Sequence, residues 1–234
     1  MSLPADLLQL VRLSVAGCRG DWGALREVRA QAGPEGPDRR WREALLQLHL
    51  FAGIPRTVEA CAVLQAAGGL GVPAEEEHES ADGRDDARGQ ALFQALYGDA
   101  AAAVQESLRT AHPGLARVVL EHAYAGVLSR PGLEPAAREV LAVACLAASD
   151  LERQLASHAR GAARLGVPLD WILDAVAEGS AALETDRRQA LTEVARRYGT
   201  VARGGSTVAL GEGPVAQGDS KTSGKGELDG PESP

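Results

Sequence analysis

The chain has 234 residues, 45% of them hydrophobic but only 3% aromatic, and a formal net charge of −8. That acidity leaves no electrostatic footprint for nucleic acid or an anionic membrane surface, so neither is expected as a partner. With so few rings the core must be built from Ala, Leu and Val, and alanine's helix propensity summed over long windows favours an all-α protein. The apolar runs fall short of the about 20 residues of a membrane span, and residues 1–6 show no basic stretch or apolar core of a secretory leader. Three cysteines, Cys18, Cys61 and Cys145, fit neither a disulfide framework nor a zinc spacing, so a reducing cytoplasm is the expected compartment.

Residues 5–32 read as helix broken at Gly20-Asp21, and the glycines and prolines of 33–37 as a turn. Asp38 suits the N-cap of a helix through Trp41, Ala44, Leu45 and Leu48. Gly53-Ile54-Pro55 interrupts that helix, and 56–67 resumes it. Residues 1–67 thus form a first helical unit. Residues 68–89, rich in Gly, Glu and Asp, cannot bury enough apolar surface to order themselves and read as an acidic linker. The second unit, 90–200, opens with helix over 90–108, nicked at Gly98, and over 113–128. A helix starting at Glu134-Pro135 is apolar all round after Glu139, the pattern of a fully packed helix. Ser149, three residues before Glu152, predicts a capping box for the next helix, on which Leu151, Leu155, His158, Ala162 and Leu165 share one inward stripe. Gly166 and Pro168 separate it from a helix over 169–183, and an amphipathic helix over 187–198 follows. The tail, 201–234, is expected to be disordered. At an offset of 130, Leu25, Ala32, Gly36 and Trp41 meet Leu155, Ala162, Gly166 and Trp171, with Val28 opposite His158. This predicts two related helical units, of which only the second keeps a polar residue at the key position.

Four stretches, Ser129-Arg-Pro-Gly-Leu133, Arg138-Glu139, Gln154-Leu-Ala-Ser-His-Ala-Arg-Gly-Ala-Ala163 and Leu165-Gly166, resemble the carboxymuconolactone decarboxylase and alkylhydroperoxidase D superfamily. The peroxidase branch carries a glutamate, two cysteines and a histidine. Glu139 and His158 fit that spacing, while Leu151 and Gln154 stand where the cysteines would be. A second block, Leu46–Arg56, resembles the segment that follows the histidine helix in the decarboxylases, but here it lies in the first unit. The resemblance implies an alkylhydroperoxidase D-like helical bundle without the redox cysteine pair. It also implies lyase chemistry on a small carboxylated lactone or an analogue, with no metal and no organic cofactor, in a homo-oligomer, a trimer or hexamer. His158 would be the proton donor or acceptor and Glu139 its tuner, since an imidazole moves protons near neutrality without large perturbation. A tryptophan-glycine-glutamate pattern of the decarboxylases is replaced by Tyr124-Ala125-Gly126, which points to a different substrate.

Two other readings stay open. A thiol peroxidase would need the missing cysteine pair, and a non-catalytic helical assembly protein would have kept the fold without the chemistry. Glu139 alone also fits an exposed helix-start glutamate favoured by the macrodipole. His122 reads as structural, His78 and His112 carry no assigned role, Arg160 is expected in a solvated or intersubunit pair, and Cys145 in the core. Each unit looks incomplete in a complementary way. The expected site is therefore composite, with catalytic Glu139 and His158 from the second unit and a substrate-binding wall of His49, Phe51 and the Gly53–Pro55 bend from the first.

Overall fold

The computed structural model describes residues 2–32, 38–75, 77 and 83–200. The expected turn at 33–37 and the expected disordered tail at 201–234 lie outside the described residues. Helices α1 (Ala5–Arg19), α2 (Trp22–Ala30), α3 (Arg39–Ala52) and α4 (Ile54–Ala66) come first. They are followed by α5 (Asp86–Tyr97), a 3₁₀ turn (Gly98–Ala100), α6 (Ala101–Ala111), and α7 (Pro113–Arg117), which runs into a π-helix (Val118–Leu128). The last four are α8 (Pro135–Ala148), α9 (Glu152–Arg164), α10 (Leu169–Ser180) and α11 (Thr185–Tyr198). The protein is all-α among the described residues, as composition predicts.

The repeat suspected from a handful of identities is far clearer in the helices. Those of the first unit begin at residues 5, 22, 39 and 54, and those at the chain's end at 135, 152, 169 and 185, an offset of 130 for three and 131 for the fourth. Within each set the same pairs touch: first with second, first with third, second with fourth and third with fourth. Even the link between the first two helices repeats. Gly20 takes a left-handed φ of 70° and its counterpart Asp150 takes 55°, an unusual value for a residue with a side chain. The amides of Asp21 and Leu151 then reach back to the carbonyls of Ala16 and Leu146.

The core centres on α8, where Val140, Ala142, Val143, Ala144 and Ala147 are fully buried. Neighbours on all sides explain its lack of a polar face: α9 and α10 of its own unit, and α1 and α3 of the other. A second cluster gathers Phe93, Leu96, Ala101, Tyr124 and Leu128 where α5 crosses the π-helix. That crossing depends on Gly89, since a Cβ there would stand 2.5 Å from the Ala125 Cα.

Two local expectations are corrected. Ser149 does not cap α9; it ends α8, and α9 starts from Leu151 with no side-chain cap. A left-handed residue at position 150 turns the chain too sharply for the serine to reach the next helix's amides. Leu151 is also 47% exposed rather than part of the inward stripe, whereas Leu155 and Ala162 are fully buried. Between the two helical sets, α5 opens at Asp86, capped by Asp85. Upstream, Arg29 donates to the carbonyls of Gly68 and Gly69. Arg42 donates to the Leu70 carbonyl and to Glu77, whose carboxyl it holds down at about 2.

The two units are joined through a buried charge. Arg138, 1% exposed, donates to Glu43 of α3 at 2.8 Å, to Gln47 at 3.3 Å, and to the carbonyls of Leu133 and Arg130. Arg130 adds a second bond to Glu43 at 3.1 Å, and Gln47 donates to the Arg138 carbonyl at 2.9 Å. Removing one partner of such a pair strands a desolvated charge, which costs about 3–5 kcal/mol. Glu43→Ala is therefore expected to lower unfolding free energy by that amount in urea titration; a loss under about 1 kcal/mol would mean that α3 is held by apolar contact alone.

Candidate active site

Glu139 follows Arg138 on α8, and one helical step of about 100° turns it from α3 towards α9. It is 2% exposed and accepts a hydrogen bond from His158 Nδ1 at 2.9 Å. The room for its carboxylate comes from Gly161, where an added Cβ would lie 3.0 Å from Glu139 Oε2 and 2.9 Å from the Leu96 side chain. Burial works against a charged His158, but the Glu139 carboxylate and its hydrogen bond outweigh that cost and raise the imidazole above its ordinary value. With Nδ1–H directed at Glu139, Nε2 is the nitrogen left for chemistry.

The first unit supplies the facing wall. Glu43, Gln47 and Phe51 recur at i, i+4 and i+8 on α3, so the face that binds Arg138 also carries Phe51. Its ring meets the His158 ring edge-on, with centroids 6.0 Å apart at 75°. Gly53, at φ 81°, ends α3 just beyond, a conformation that favours glycine. His49 stands apart from this contact. Its Nε2 lies 2.7 Å from Nε2 of His122 on the π-helix, and it is absent from the cavity lining described next.

His158 and Phe51 line a cavity of about 1080 Å³. Tyr97, Tyr124, Ser149, Gln154 and Ser157 contribute polar groups to it, and Val104, Leu108, Val119, Leu128 and Leu146 apolar ones. Tyr124 donates to the Tyr97 hydroxyl at 3.2 Å. Burial first, then Tyr97 and Glu139, push the Tyr124 phenol well up, so it stays protonated. Leu151 and Gln154, at the places of the peroxidase cysteines, both face this cavity. The chain's thiols lie elsewhere: Cys18 and Cys145 are buried neighbours where α1 packs on α8, Cys61 is exposed on α4, and none lines the cavity. The hydrogen bond that the Cys145 thiol donates to Cys18 and its burial together push that thiol well up, as expected of an inert core cysteine. Among the described residues no group of three or more His, Cys, Asp or Glu side chains is placed to hold a metal ion.

Several lining residues escaped the sequence reading. Arg160 does not face away from the histidine's cavity but lines it, together with Arg153, Arg164 and Arg197. The signal was available: Arg153, Ser157, Arg160 and Arg164 fall at i, i+4, i+7 and i+11, one stripe of α9 adjoining the His158 stripe. Tyr124 was visible only as a departure from the decarboxylase pattern. Tyr97 carried no signal, because nothing in the sequence brings α5 over α9.

Residues 113–197 match the Carboxymuconolactone decarboxylase family, a span that holds Glu139, His158 and the whole arginine stripe. Peroxisomal protein 2 of Schizosaccharomyces pombe is 28% identical over 138 residues, covering 57% of this chain. The matched stretch spans 64% of that relative's length.

Glu139→Gln removes the charge that holds His158 up and leaves the burial that pushes it down. The imidazole pKa, followed by NMR titration, is expected to fall below the free value of about 6.5. Linkage gives the matching stability effect. The raised folded value contributes stability that is fully present below about 6.5 and is lost as pH rises through the folded pKa. In Glu139→Gln, with the folded value below the free one, that slope is expected to change sign, stability now rising with pH; an unmoved imidazole titration would mean that Glu139 does not tune His158.

Proposed function

We propose that this chain, whose residues 113–197 match the Carboxymuconolactone decarboxylase family, is an acid–base carbon–carbon lyase acting on a carboxylated lactone or an analogue of it. The observation that carries this reading is the 2.9 Å His158–Glu139 pair at the wall of a large cavity. Decarboxylation breaks a C–C bond, releases CO₂ and leaves the electron pair on an enolate-like carbanion. The imidazolium of His158 delivers a proton to that carbon through Nε2 and is reprotonated from solvent. Glu139 stabilises the charged ring, and the Tyr97 hydroxyl, which accepts from Tyr124, offers its own hydrogen bond where negative charge develops. Phe51 shields the proton donor from water on the side of the first unit.

With carboxymuconolactone or an analogue as substrate, CO₂ release is expected to fall about 100-fold or more in His158→Gln. Wild-type rates in that variant would remove His158 from the mechanism. The peroxidase reading lacks a thiol at the histidine. Reductant-coupled hydroperoxide consumption is expected to equal that of buffer and to be unaffected by Cys145→Ser. Turnover that this variant abolishes would reinstate thiol chemistry.

We also propose a homo-oligomer, a trimer or hexamer, in a reducing cytoplasm. Ile54 and Val58, one turn apart on α4, are 67% and 62% exposed, which supports a helix face covered by another copy. Among the described residues no helix is long and apolar enough to cross a membrane. Sedimentation is expected to give a trimer or hexamer at micromolar concentration, and a lone monomer there would exclude the assembly.

A further inference from the structure

The His158 cavity is unusual in both charge and size. Four arginines line it, Arg153, Arg160, Arg164 and Arg197, against one carboxylate, Asp99. This concentration of positive charge sits in a chain of net charge −8. Elsewhere arginines meet acids, as in Arg12–Glu178, Arg42–Glu77 and Arg187–Asp150. Among the described residues Arg153, Arg160 and Arg197 form no such pair. Arg164 is occupied differently, donating to the Leu96 carbonyl at 2.6 Å.

Two of these cations converge on one ring. The guanidinium carbons of Arg160 and Arg197 lie 4.8 and 5.3 Å from the Tyr198 ring centroid, which leaves them at most about 10 Å apart. The ring's π electrons offset part of their mutual repulsion. A guanidinium fork matches a carboxylate by two parallel hydrogen bonds. Phe51, Val104, Leu108, Val119, Leu128 and Leu146 give the same cavity an apolar wall. At about 1080 Å³ the space lies at the upper edge of the roughly 300–1,000 Å³ typical of small-molecule sites, well beyond what a compact lactone fills.

We infer that the occupant of this cavity is a carboxylate with an extended apolar body, its head held by Arg160 and Arg197 beside Tyr198 and its body lying along the apolar wall towards Phe51. This rests on the reading of the cavity as the ligand site of His158 and names the class of substrate that site takes. Arg160 and Arg197 act in binding, with no part in proton transfer.

Calorimetric titration of the full chain with decanoate, butanoate, decanol and decyl phosphate tests it. Decanoate is expected to bind at least tenfold more tightly than butanoate or decanol, and more tightly than decyl phosphate. In Arg160→Gln/Arg197→Gln the decanoate affinity is expected to drop at least tenfold while decanol changes less than threefold. Arg188→Gln, outside the cavity, should leave decanoate binding unaltered. Decanol or butanoate matching decanoate, or a double variant that binds decanoate normally, would overturn the inference, and tighter decyl phosphate would replace the carboxylate with a phosphate. Should the double variant lose its thermal transition, the single change Arg197→Gln at an exposed position decides, and it is expected to weaken decanoate at least threefold. His158→Gln separates the two readings. It should bind decanoate within threefold of wild type, so loss of turnover there concerns the proton transfer and loss of binding in the arginine variants concerns the ligand.

Discussion

A guanidinium taken out of water must find a carboxylate and acceptors for its remaining donors, and Arg138 finds them only if α3 lies against α8 in one register. Glu43 and Gln47 meet that demand from α3, the carbonyls of Leu133 and Arg130 from the turn ahead of α8. A slide of α3 by one turn would bring Arg39 or Gln47 to the place of Glu43 and break the ion pair, at a cost of several kcal/mol. Apolar packing between alanine-rich helices is far more tolerant of such a slide. The ion pair therefore gives the contact between the units its specificity, and Phe51, two turns along the same stripe, takes its place beside His158 as a consequence.

The same helix serves two masters through adjacent residues. Arg138 and Glu139 are both buried at the start of α8, one pointing to the neighbouring unit and the other to the catalytic candidate. Glu139 can approach α9 because Gly161 has no side chain to obstruct it. The electrostatics around this carboxylate reach further than the histidine. The phenol of Tyr124 is pushed up by burial first and by Glu139 in part, so one charge raises both an imidazole and a phenol at the same cavity wall.

The helical class, most element boundaries and the inward histidine were legible because they depend on local spacing. Glu139 with His158 was legible only through the family resemblance; on local grounds an exposed glutamate at the helix start was equally consistent. The rest depended on what folding brings together over long separations. No pattern in the sequence announces that α5 crosses the π-helix and carries Tyr97 to the cavity, or that His49 turns to His122. Arg160 was misjudged for a different reason. Its stripe is readable, but two residues from the histidine it reads as one partner of a solvated or intersubunit pair, although a cavity as wide as this one receives both stripes of α9. Ser149 shows the limit of a local rule, since the capping motif is intact in sequence and the backbone at Asp150 carries the serine out of reach.

The 130-residue offset of the helices has a consequence for how the site can change. When two copies of a unit associate as separate chains, every substitution appears twice, and a residue that improves one wall of a shared pocket is imposed on the other. Here the two copies are parts of one polypeptide, so each position is altered alone. The first unit could lose any proton-transfer group, holding Val28 where the second holds His158, and keep only a supporting face. Linkage within one chain has made a division of labour available: one half holds the histidine–glutamate pair, the other shapes the space beside it.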